Sequence, residues 1–289
     1  GNPNCGKTTL FNNLTGSTAH VGNWPGVTVE KKDGTYKKLS EPISIIDLPG
    51  IYSLSPYTDE EVISRNYILD EKPDCVINIV DATNLERNLY LTTQLLEIDV
   101  PVVVAINMMD ILEKAGDILD EKILEEKLGV PVVKISALEE SNLKDLMEAA
   151  FKASEAKRAG KTVVYNKDLN HLIGDVTIAF KGKKVENPLF HAIKLVENDE
   201  IETKMHEDLV PMVEEFKKTF KDETFGDDIE AIIADERYNY ISKNFSKVIT
   251  KHEVEDKEKV KENKSDRIDK VLTHKVWGLV IFAAILFLF

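Results

Sequence analysis

Short apolar runs alternate with helically spaced apolar residues along the first part of the chain. Four runs are almost continuously apolar and rich in β-branched residues, which is typical of strands buried on both faces of a parallel sheet. They are residues 43–47 (ISIID), 75–81 (CVINIVD), 100–107 (VPVVVAIN) and 130–136 (VPVVKIS). Helical patterns fall near residues 59–71, 84–98, 119–128 and 142–157. This alternation predicts a doubly wound α/β domain with a mostly parallel sheet over residues 1–158.

The pattern changes twice further along the chain. Residues 159–250 show helical spacing without convincing strands and predict a small all-α domain. Residues 251–270 are charged and nearly devoid of apolar side chains, which indicates a linker or a solvated helix. Residues 271–289 carry no charge from Trp277 onward. We expect them to be the start of a transmembrane helix that is cut short, because a helix needs about 20 apolar residues to span a bilayer. A buried C-terminal helix is the alternative.

The chain opens on GNPNCGKTT, which contains the P-loop pattern of two glycines separated by four residues and followed by Lys and Thr. In such a loop glycines let the backbone wrap a phosphate, the lysine reaches the outer phosphates and the threonine hydroxyl binds Mg²⁺. We therefore expect Lys7 to act in catalysis and Thr8 to bind Mg²⁺. The residues expected to contact the nucleotide here are Gly1, Asn2, Pro3, Asn4, Cys5, Gly6, Lys7, Thr8 and Thr9.

A P-loop also needs a strand in front of it. In this topology that strand lies centrally, between residues 43–47 and 75–81. Without it two rows of buried backbone groups would lack partners, so we expect a chain that begins at Gly1 to fold poorly and about eight upstream residues to restore folding.

Three further motifs follow the apolar runs. Asp47 and Gly50, in DLPG, are expected to hold Mg²⁺ through water and to meet a γ-phosphate through the Gly50 amide. Asn107 and Asp110, in NMMD, can read guanine, with Asp110 accepting hydrogen bonds from the base N1–H and amine. A backbone amide of the SAL motif could meet the guanine O6. Because α/β sheets bind ligands at the carboxyl ends of their strands, the motifs together predict a guanine nucleotide site. The SAL motif is Ser136, Ala137 and Leu138.

Composition narrows the choice of function. The formal net charge of −14 and a pI near 5.0 argue against a nucleic-acid-binding surface, which would be basic. Cys5 and Cys75 are too few for a disulfide framework, so a reducing compartment is expected. The six histidines include no pair spaced by four residues, which argues against a zinc or iron site in this part of the chain.

The motifs resemble those of translation-factor-type GTPases, and more closely those of the cytosolic part of the FeoB family of ferrous iron transporters. The resemblance covers the whole chain and rests on GNPNCGKTTLFN, VGNWPGVTVEKKDG, DLPGIYSL, NMMD, SALEE, AIKLVENDE and IADERYNYI. The last two are similar to segments of the family's helical domain, which modulates nucleotide release. Two departures are the missing strand before Gly1 and Met108, where many GTPases carry lysine; Met108 is nevertheless expected to lie at the nucleotide.

The resemblance implies a GTPase that uses GTP, GDP and Mg²⁺ in a protein of the cell inner or plasma membrane, with residues 1–270 in the cytoplasm. The family continues into its own polytopic membrane domain and transports Fe(II). Small cytosolic Feo accessory proteins are candidate partners, and no nucleic acid is expected.

Catalysis requires charge to be neutralised around the phosphates. Thr28, in the switch I segment with Gly26 and Val27, is expected to be a Mg²⁺ ligand and to act in catalysis. Ile51 stands where Ras-like enzymes keep a water-orienting glutamine, and these loops hold no arginine. The resemblance offers K⁺ instead, which implies slow intrinsic turnover stimulated by K⁺. The implied K⁺ ligands are the Asn4 side chain and the carbonyls of Gly22 and Trp24.

Two other classes of protein share some of these features. A soluble GTPase of ribosome assembly or tRNA modification would carry a basic RNA-binding appendage, which the acidic helical domain and the apolar tail oppose. An ATP-driven transporter subunit would show its own signature motif and a Walker B strand, whereas DLPG with NMMD fits guanine.

Overall fold

The buried apolar runs form a three-stranded parallel sheet in the order β4–β5–β7. The computed structural model describes residues 1–16, 19–156 and 160–252. Every residue of the central strand β5 is buried, as its continuous apolar sequence predicts. Asp81 lies opposite Asn107, so β4 and β5 end at the same edge. The strands are β4 (Val76–Asp81), β5 (Val102–Asn107) and β7 (Val132–Lys134).

A second, antiparallel sheet has the order β1–β2–β3. The apolar runs predict only β3 of these strands, because β1 is exposed throughout and β2 is largely polar. Pro25 and Gly26 begin the loop between β1 and β2, where Gly26 has a φ of +80° and the Val27 amide donates to the Trp24 carbonyl. A positive φ at this position of a turn favours glycine. The strands are β1 (His20–Asn23), β2 (Glu30–Tyr36) and β3 (Ile43–Asp47).

A cavity of about 590 Å³ lies between β3 and β4, with both strands and Gly1 in its lining. Among the described residues β3 pairs with β2 and β4 with β5, and the two sheets are not joined by strand pairing. The strand predicted to precede the P-loop would lie at this place, between β3 and β4. That strand, and the effect of upstream residues on folding, stay predictions.

Six α-helices accompany these strands in the described part of residues 1–156. Helices occur at all four segments predicted from apolar spacing, and Thr58 and Asp120 begin two of them by accepting backbone N–H groups with their side chains. The short α4 was not predicted; it is followed by a two-residue strand, β6 (Ile118–Leu119). The helices are α1 (Lys7–Thr15), α2 (Asp59–Asp70), α3 (Leu85–Leu95), α4 (Met109–Ala115), α5 (Glu121–Leu128) and α6 (Leu143–Ala156).

Residues 160–252, called the helical segment below, are mainly helical, as expected, apart from one short strand. The two-residue strand β8 (Ile249–Thr250) pairs antiparallel with β6. The segment has its own apolar core, while Phe190, Ile241 and Phe245 join the core around α3 and β5. The helices are α7 (Lys167–Gly182), α8 (Pro188–Val196), α9 (Glu200–Met205), α10 (Val210–Thr219) and α11 (Ile229–Phe245).

Three predictions cannot be compared with the structure. The predicted domain boundary at residues 158 and 159 lies outside the described residues, as do the predicted transmembrane start at 271–289 and all but the first two residues of the predicted linker at 251–270. Among the helices that are described, none combines the length and the apolar character needed to cross a bilayer.

Candidate nucleotide-binding site

The P-loop turns tightly into the first helix. Gly6 precedes α1 with a φ of +91°, and a Cβ there would lie 2.2 Å from the Asn107 Nδ2. Asn4 also has a positive φ, of 63°. No side chain caps the start of α1, so its first N–H groups are free to meet an anion. Thr8 and Thr9 are exposed on its first turn. The loop therefore has the backbone shape and the donors that a phosphate requires.

The DLPG turn lies against the P-loop. A Cβ on Gly50 would come within 3.0 Å of the Pro3 Cα and 3.2 Å of the Lys7 Nζ. The Ile51 amide donates to the Gly1 carbonyl at 3.2 Å. These contacts hold the amide-bearing turn beside the lysine that is expected to reach the outer phosphates.

Asp47 is the last residue of β3 and lies three residues before Gly50. Burial raises the pKa of the Asp47 carboxyl, and the positive charges of Lys7 and Lys32 oppose that rise. A partly buried carboxylate beside the phosphate-binding lysine suits a hard cation such as Mg²⁺. The donor chemistry of Asp47 and of the exposed Thr8 hydroxyl thus fits the expected metal.

Asn107 ties the end of β5 to two loops. Its Nδ2 donates to the Cys5 carbonyl at 2.9 Å, and its Oδ1 accepts from the Ala137 amide at 2.8 Å. Asn107, Cys5 and Ala137 are all buried. The side chain therefore joins the P-loop to the SAL loop, and it does so through both of its polar atoms.

Asp110 is held in place beside this junction. Its Oδ1 accepts from the Ser136 Oγ at 2.9 Å, and its Oδ2 lies 3.5 Å from the Lys114 Nζ. The carboxylate is acceptor-only and suits the adjacent N1–H and amine donors of guanine. Met108 has a φ of 66° and directly precedes α4, while Leu138 is 78% exposed beside the motif. The structure thus brings NMMD and SAL together, while their contacts with guanine stay predictions.

The switch I residues are placed differently. Gly22 lies in β1 opposite Lys31, and Thr28 is exposed in the loop that follows. The Trp24 ring is buried edge-on against Tyr67, with a centroid distance of 5.5 Å. Among the described residues no hydrogen bond joins Gly22, Trp24 or Thr28 to the P-loop, so their expected roles stay predictions.

Two buried arginines were not predicted from the sequence. Arg65, on α2, bonds Asp199 at 2.8 Å and Glu202 at 2.5 Å. Arg237, on α11, bonds Glu97 at 2.5 Å and Glu197 at 3.0 Å. Each joins the α/β part to the helical segment. Helix α2 follows the DLPG turn, so the first of these pairs connects the nucleotide site to the helical segment. Neither helix has a pronounced apolar face in its sequence that would have singled out its arginine as buried.

Replacing Asn107 by alanine should destabilise the protein as well as the nucleotide site. The change leaves the buried Cys5 carbonyl and Ala137 amide without partners. Each unpaired group costs about 1–3 kcal/mol, so we expect a loss of about 2–6 kcal/mol in the free energy of unfolding. Urea denaturation measures it. The matched control is Asn239→Ala on the exposed face of α11, which should change the value by less than about 0.5 kcal/mol. Equal losses for both variants would contradict the junction role.

The position of each motif decides the class of protein. A phosphate loop, a DLPG turn held against it and an Asn-x-x-Asp motif locked to the last loop of the sheet define the nucleotide-binding domain of a P-loop GTPase. Family comparisons agree: residues 1–150 match the family described as "Ferrous iron transport protein B", and residues 165–250 match the "FeoB cytosolic helical domain". The chain belongs to the FeoB family.

Individual relatives are similar along the whole chain. The Fe(2+) transport protein A/Fe(2+) transporter FeoB fusion protein of Porphyromonas gingivalis is 37% identical over 306 residues, which cover 100% of this chain and 35% of that protein. A GDP-bound mutant of the S. thermophilus FeoB G-domain is 38% identical with a TM-score of 0.78, covering 86% of this chain and 97% of that one. The cytosolic domain of T. maritima FeoB in its GMPPNP form is 31% identical with a TM-score of 0.76, covering 86% and 96%. The chain thus spans only about a third of the curated relative's length.

Proposed function

We propose that this chain binds and hydrolyses GTP as the cytosolic part of a ferrous iron membrane transporter. The observation that carries the proposal is the junction of Asn107, Asp110 and Ser136, which presents a buried, oriented carboxylate suited to guanine. Relatives of similar fold bind GDP and GMPPNP, which supports the same nucleotide class here. A soluble GTPase of ribosome assembly or tRNA modification is not favoured, because both parts of the chain match FeoB.

Hydrolysis depends on positioning and on neutralising negative charge at the phosphates. Lys7 reaches the outer phosphates, and the Gly50 amide donates to the γ-phosphate. Mg²⁺ would be held by Thr8 and Thr28 and, through water, by Asp47, and when bound it supplies positive charge at the phosphate oxygens. The remaining P-loop groups orient the nucleotide, and Asp110 selects its base.

Ile51 cannot help the attacking water. Its side chain is apolar and 5% exposed, packed in the core around α3 and β5. The arginine of α2, Arg65, is buried and paired with two carboxylates, and Arg87 stacks on the Tyr52 ring at 4.8 Å. Intrinsic turnover should therefore be slow. A K⁺ ion held by the Asn4 side chain and the carbonyls of Gly22 and Trp24 would supply the missing charge.

Potassium should therefore stimulate hydrolysis. An arginine finger is worth 10³–10⁵ in rate, and a more diffuse K⁺ should contribute less, on the order of tenfold to a hundredfold. Sodium, being smaller, should substitute badly. Asn4→Ala should abolish the K⁺ stimulation while nucleotide binding stays nearly intact, because Lys7 and the loop amides remain. Steady-state hydrolysis in KCl and NaCl measures the effect.

Backbone strain needs its own control in that experiment. Asn4 has a positive φ, which disfavours alanine but not glycine, so Asn4→Gly removes the side chain without strain. Both variants should lose the preference for K⁺. A wild-type protein indifferent to the cation, or a glycine variant that keeps the preference, would exclude Asn4 as a K⁺ ligand; the alternative is that Asn4 only rigidifies the loop.

Membership of the FeoB family supports a proposal for the location and the partners of this chain in the cell. The chain would lie in the cytoplasm at the inner or plasma membrane, joined to its own polytopic membrane domain, with Fe(II) as transported substrate. The helical domain over residues 159–250 would modulate nucleotide release. The Porphyromonas gingivalis relative joins Fe(2+) transport protein A to FeoB in one chain, which supports small Feo accessory proteins as partners.

Metal uptake by the full-length protein in liposomes tests the transport role. We expect Fe(II) uptake with GTP and little without nucleotide. A marked reduction with a non-hydrolysable analogue would indicate that hydrolysis drives uptake, and unchanged uptake with the analogue would indicate that the nucleotide gates it. Uptake that is equal with GTP, with the analogue and without nucleotide would contradict a role of this chain in transport, while GTP hydrolysis measured in the same preparation reports on the enzyme separately.

A further inference from the structure

Two histidines and a glutamate from neighbouring helices meet in the helical segment. His191 lies on α8, Glu202 on α9, and His206 follows α9 directly. One ligand atom from each lies within 4.8 Å of the other two. The His191 Nδ1 is 2.8 Å from the Glu202 Oε1, and the His206 Nε2 is 3.6 Å from the Glu202 Oε2. The expectation that this part of the chain holds no zinc or iron site rested on the absence of two histidines four residues apart. Glu202 and His206 are four residues apart, and the fold brings His191 to them.

Glu202 brings an independent sign that a ligand belongs here. Its side chain is 1% exposed, and its Oε2 is buried without a hydrogen-bond partner. Buried carboxylate oxygens are almost always paired, because leaving one unpaired forfeits its hydration without compensation. The His206 ring nitrogen beside this oxygen is too distant for a hydrogen bond but near enough to share a metal ion with it.

The surrounding charges favour a cation. Arg65 donates to Glu202 and to Asp199, so one positive charge faces two buried carboxylates and leaves one negative charge in excess. The hydrogen bond from Arg65 also orients the glutamate, as hydrogen bonds to metal-binding carboxylates usually do. The Phe180 ring packs edge-on against His206 at 4.8 Å and so limits rotation of the imidazole.

We propose that His191, Glu202 and His206 bind a divalent transition-metal ion, of the class of Zn²⁺ or Fe²⁺. Two imidazole nitrogens and one carboxylate oxygen suit these ions, whereas Mg²⁺ prefers oxygen ligands alone. Around a metal with bonds of about 2.0–2.2 Å, neighbouring ligand atoms lie about 3–3.5 Å apart, and the contacts of Glu202 at 2.8 and 3.6 Å bracket this spacing. Three protein ligands leave a coordination position for water.

The proposed metal site is linked to the nucleotide-binding domain through Arg65. Glu202 is also bound by Arg65 of α2, the helix that follows the DLPG turn. A metal on Glu202 and the guanidinium of Arg65 therefore share one carboxylate. The ion is distinct from the proposed Mg²⁺ and K⁺ because none of its ligands belongs to the nucleotide-binding motifs.

Zinc titration of the whole chain tests the proposal. Protein stripped with a chelator is saturated with GDP and excess Mg²⁺, and Zn²⁺ binding is measured by calorimetry; Co²⁺, a spectroscopic substitute for Zn²⁺, is followed by its visible absorption. We expect one tight site in the wild type. His191→Asn and His206→Asn should each weaken Zn²⁺ binding at least a hundredfold and remove the Co²⁺ bands, whereas His171→Asn, at an exposed position of α7, should change neither.

Glu202 is a poor first target for substitution, because its loss would leave Arg65 with one buried partner fewer. GDP affinity, measured for each histidine variant, reports that the protein is folded and keeps this test separate from the proposed GTPase. A wild type that binds no Zn²⁺ tightly, or binding that survives both histidine variants, would overturn the site.

Discussion

Asp110→Asn should weaken GTP binding at least about a hundredfold and shift the preference of the site toward xanthosine nucleotides. The carboxylate accepts from the base N1–H and the exocyclic amine, and each hydrogen bond to a charged group contributes about 1.5–3 kcal/mol. An asparagine offers one acceptor and a donor, which suits the xanthine carbonyl in place of the amine. Its oxygen can still accept from the Ser136 Oγ, which bonds Asp110 at 2.9 Å, so the loop should keep its shape.

Calorimetry with GTP and XTP on both proteins measures the shift. Asp175→Asn, at an exposed position of α7, removes the same charge away from the motif and should leave both affinities unchanged. An Asp110 variant with unchanged GTP affinity and no gain for XTP would remove Asp110 from the base site.

Arg237→Met should lower the free energy of unfolding by about 3–5 kcal/mol, because removing one partner of a buried ion pair leaves an uncompensated charge. The guanidinium and the Glu97 carboxylate are both fully buried, and Glu197 accepts from the same arginine at 3.0 Å. Methionine approximates the length of the arginine stem, so the lost charge rather than a cavity dominates. Urea denaturation at pH 7 measures the loss.

A dependence on pH should distinguish charge from packing. Burial raises the pKa of the Glu97 carboxyl, and Arg237 opposes that rise. Without the arginine the pKa of folded Glu97 rises further above its unfolded value, and a raised carboxyl pKa destabilises the fold at higher pH. The deficit of the variant should therefore shrink as pH falls through the raised pKa and Glu97 becomes protonated.

Two further variants serve as controls for the unfolding measurement on Arg237→Met. Arg87→Met, at an exposed position of α3, should cost less than about 1 kcal/mol. Adding Glu97→Gln to Arg237→Met should recover part of the stability, since the neutral amide no longer requires a charged partner. A loss under about 1 kcal/mol for Arg237→Met, or one that is the same at every pH, would contradict the buried-charge account.

Periodicity and local motifs were sufficient for much of the fold. The apolar runs became β3, β4, β5 and β7 because continuous β-branched sequence has few stable places other than a buried strand. The nucleotide motifs also lie where the strands end, since their residues follow each run directly in the sequence. The hairpin of β1 and β2 was missed because its residues are largely polar and show no alternation.

The sequence by itself determined which residues carry chemistry, namely the P-loop, DLPG, NMMD and SAL motifs, because spacing along the backbone is a local property. Only the tertiary structure decided their partners. Asn107 donates to the carbonyl of Cys5, which is 102 residues away in the sequence. Arg65 and Glu202 are 137 residues apart, and Arg237 and Glu97 are 140 apart. The packing of the helices decides which buried charges meet and brings His191 close to Glu202. The helices concerned are α2, α3, α8, α9 and α11. Apolar spacing predicts that a helix has a buried face, but it does not encode which helix that face will meet.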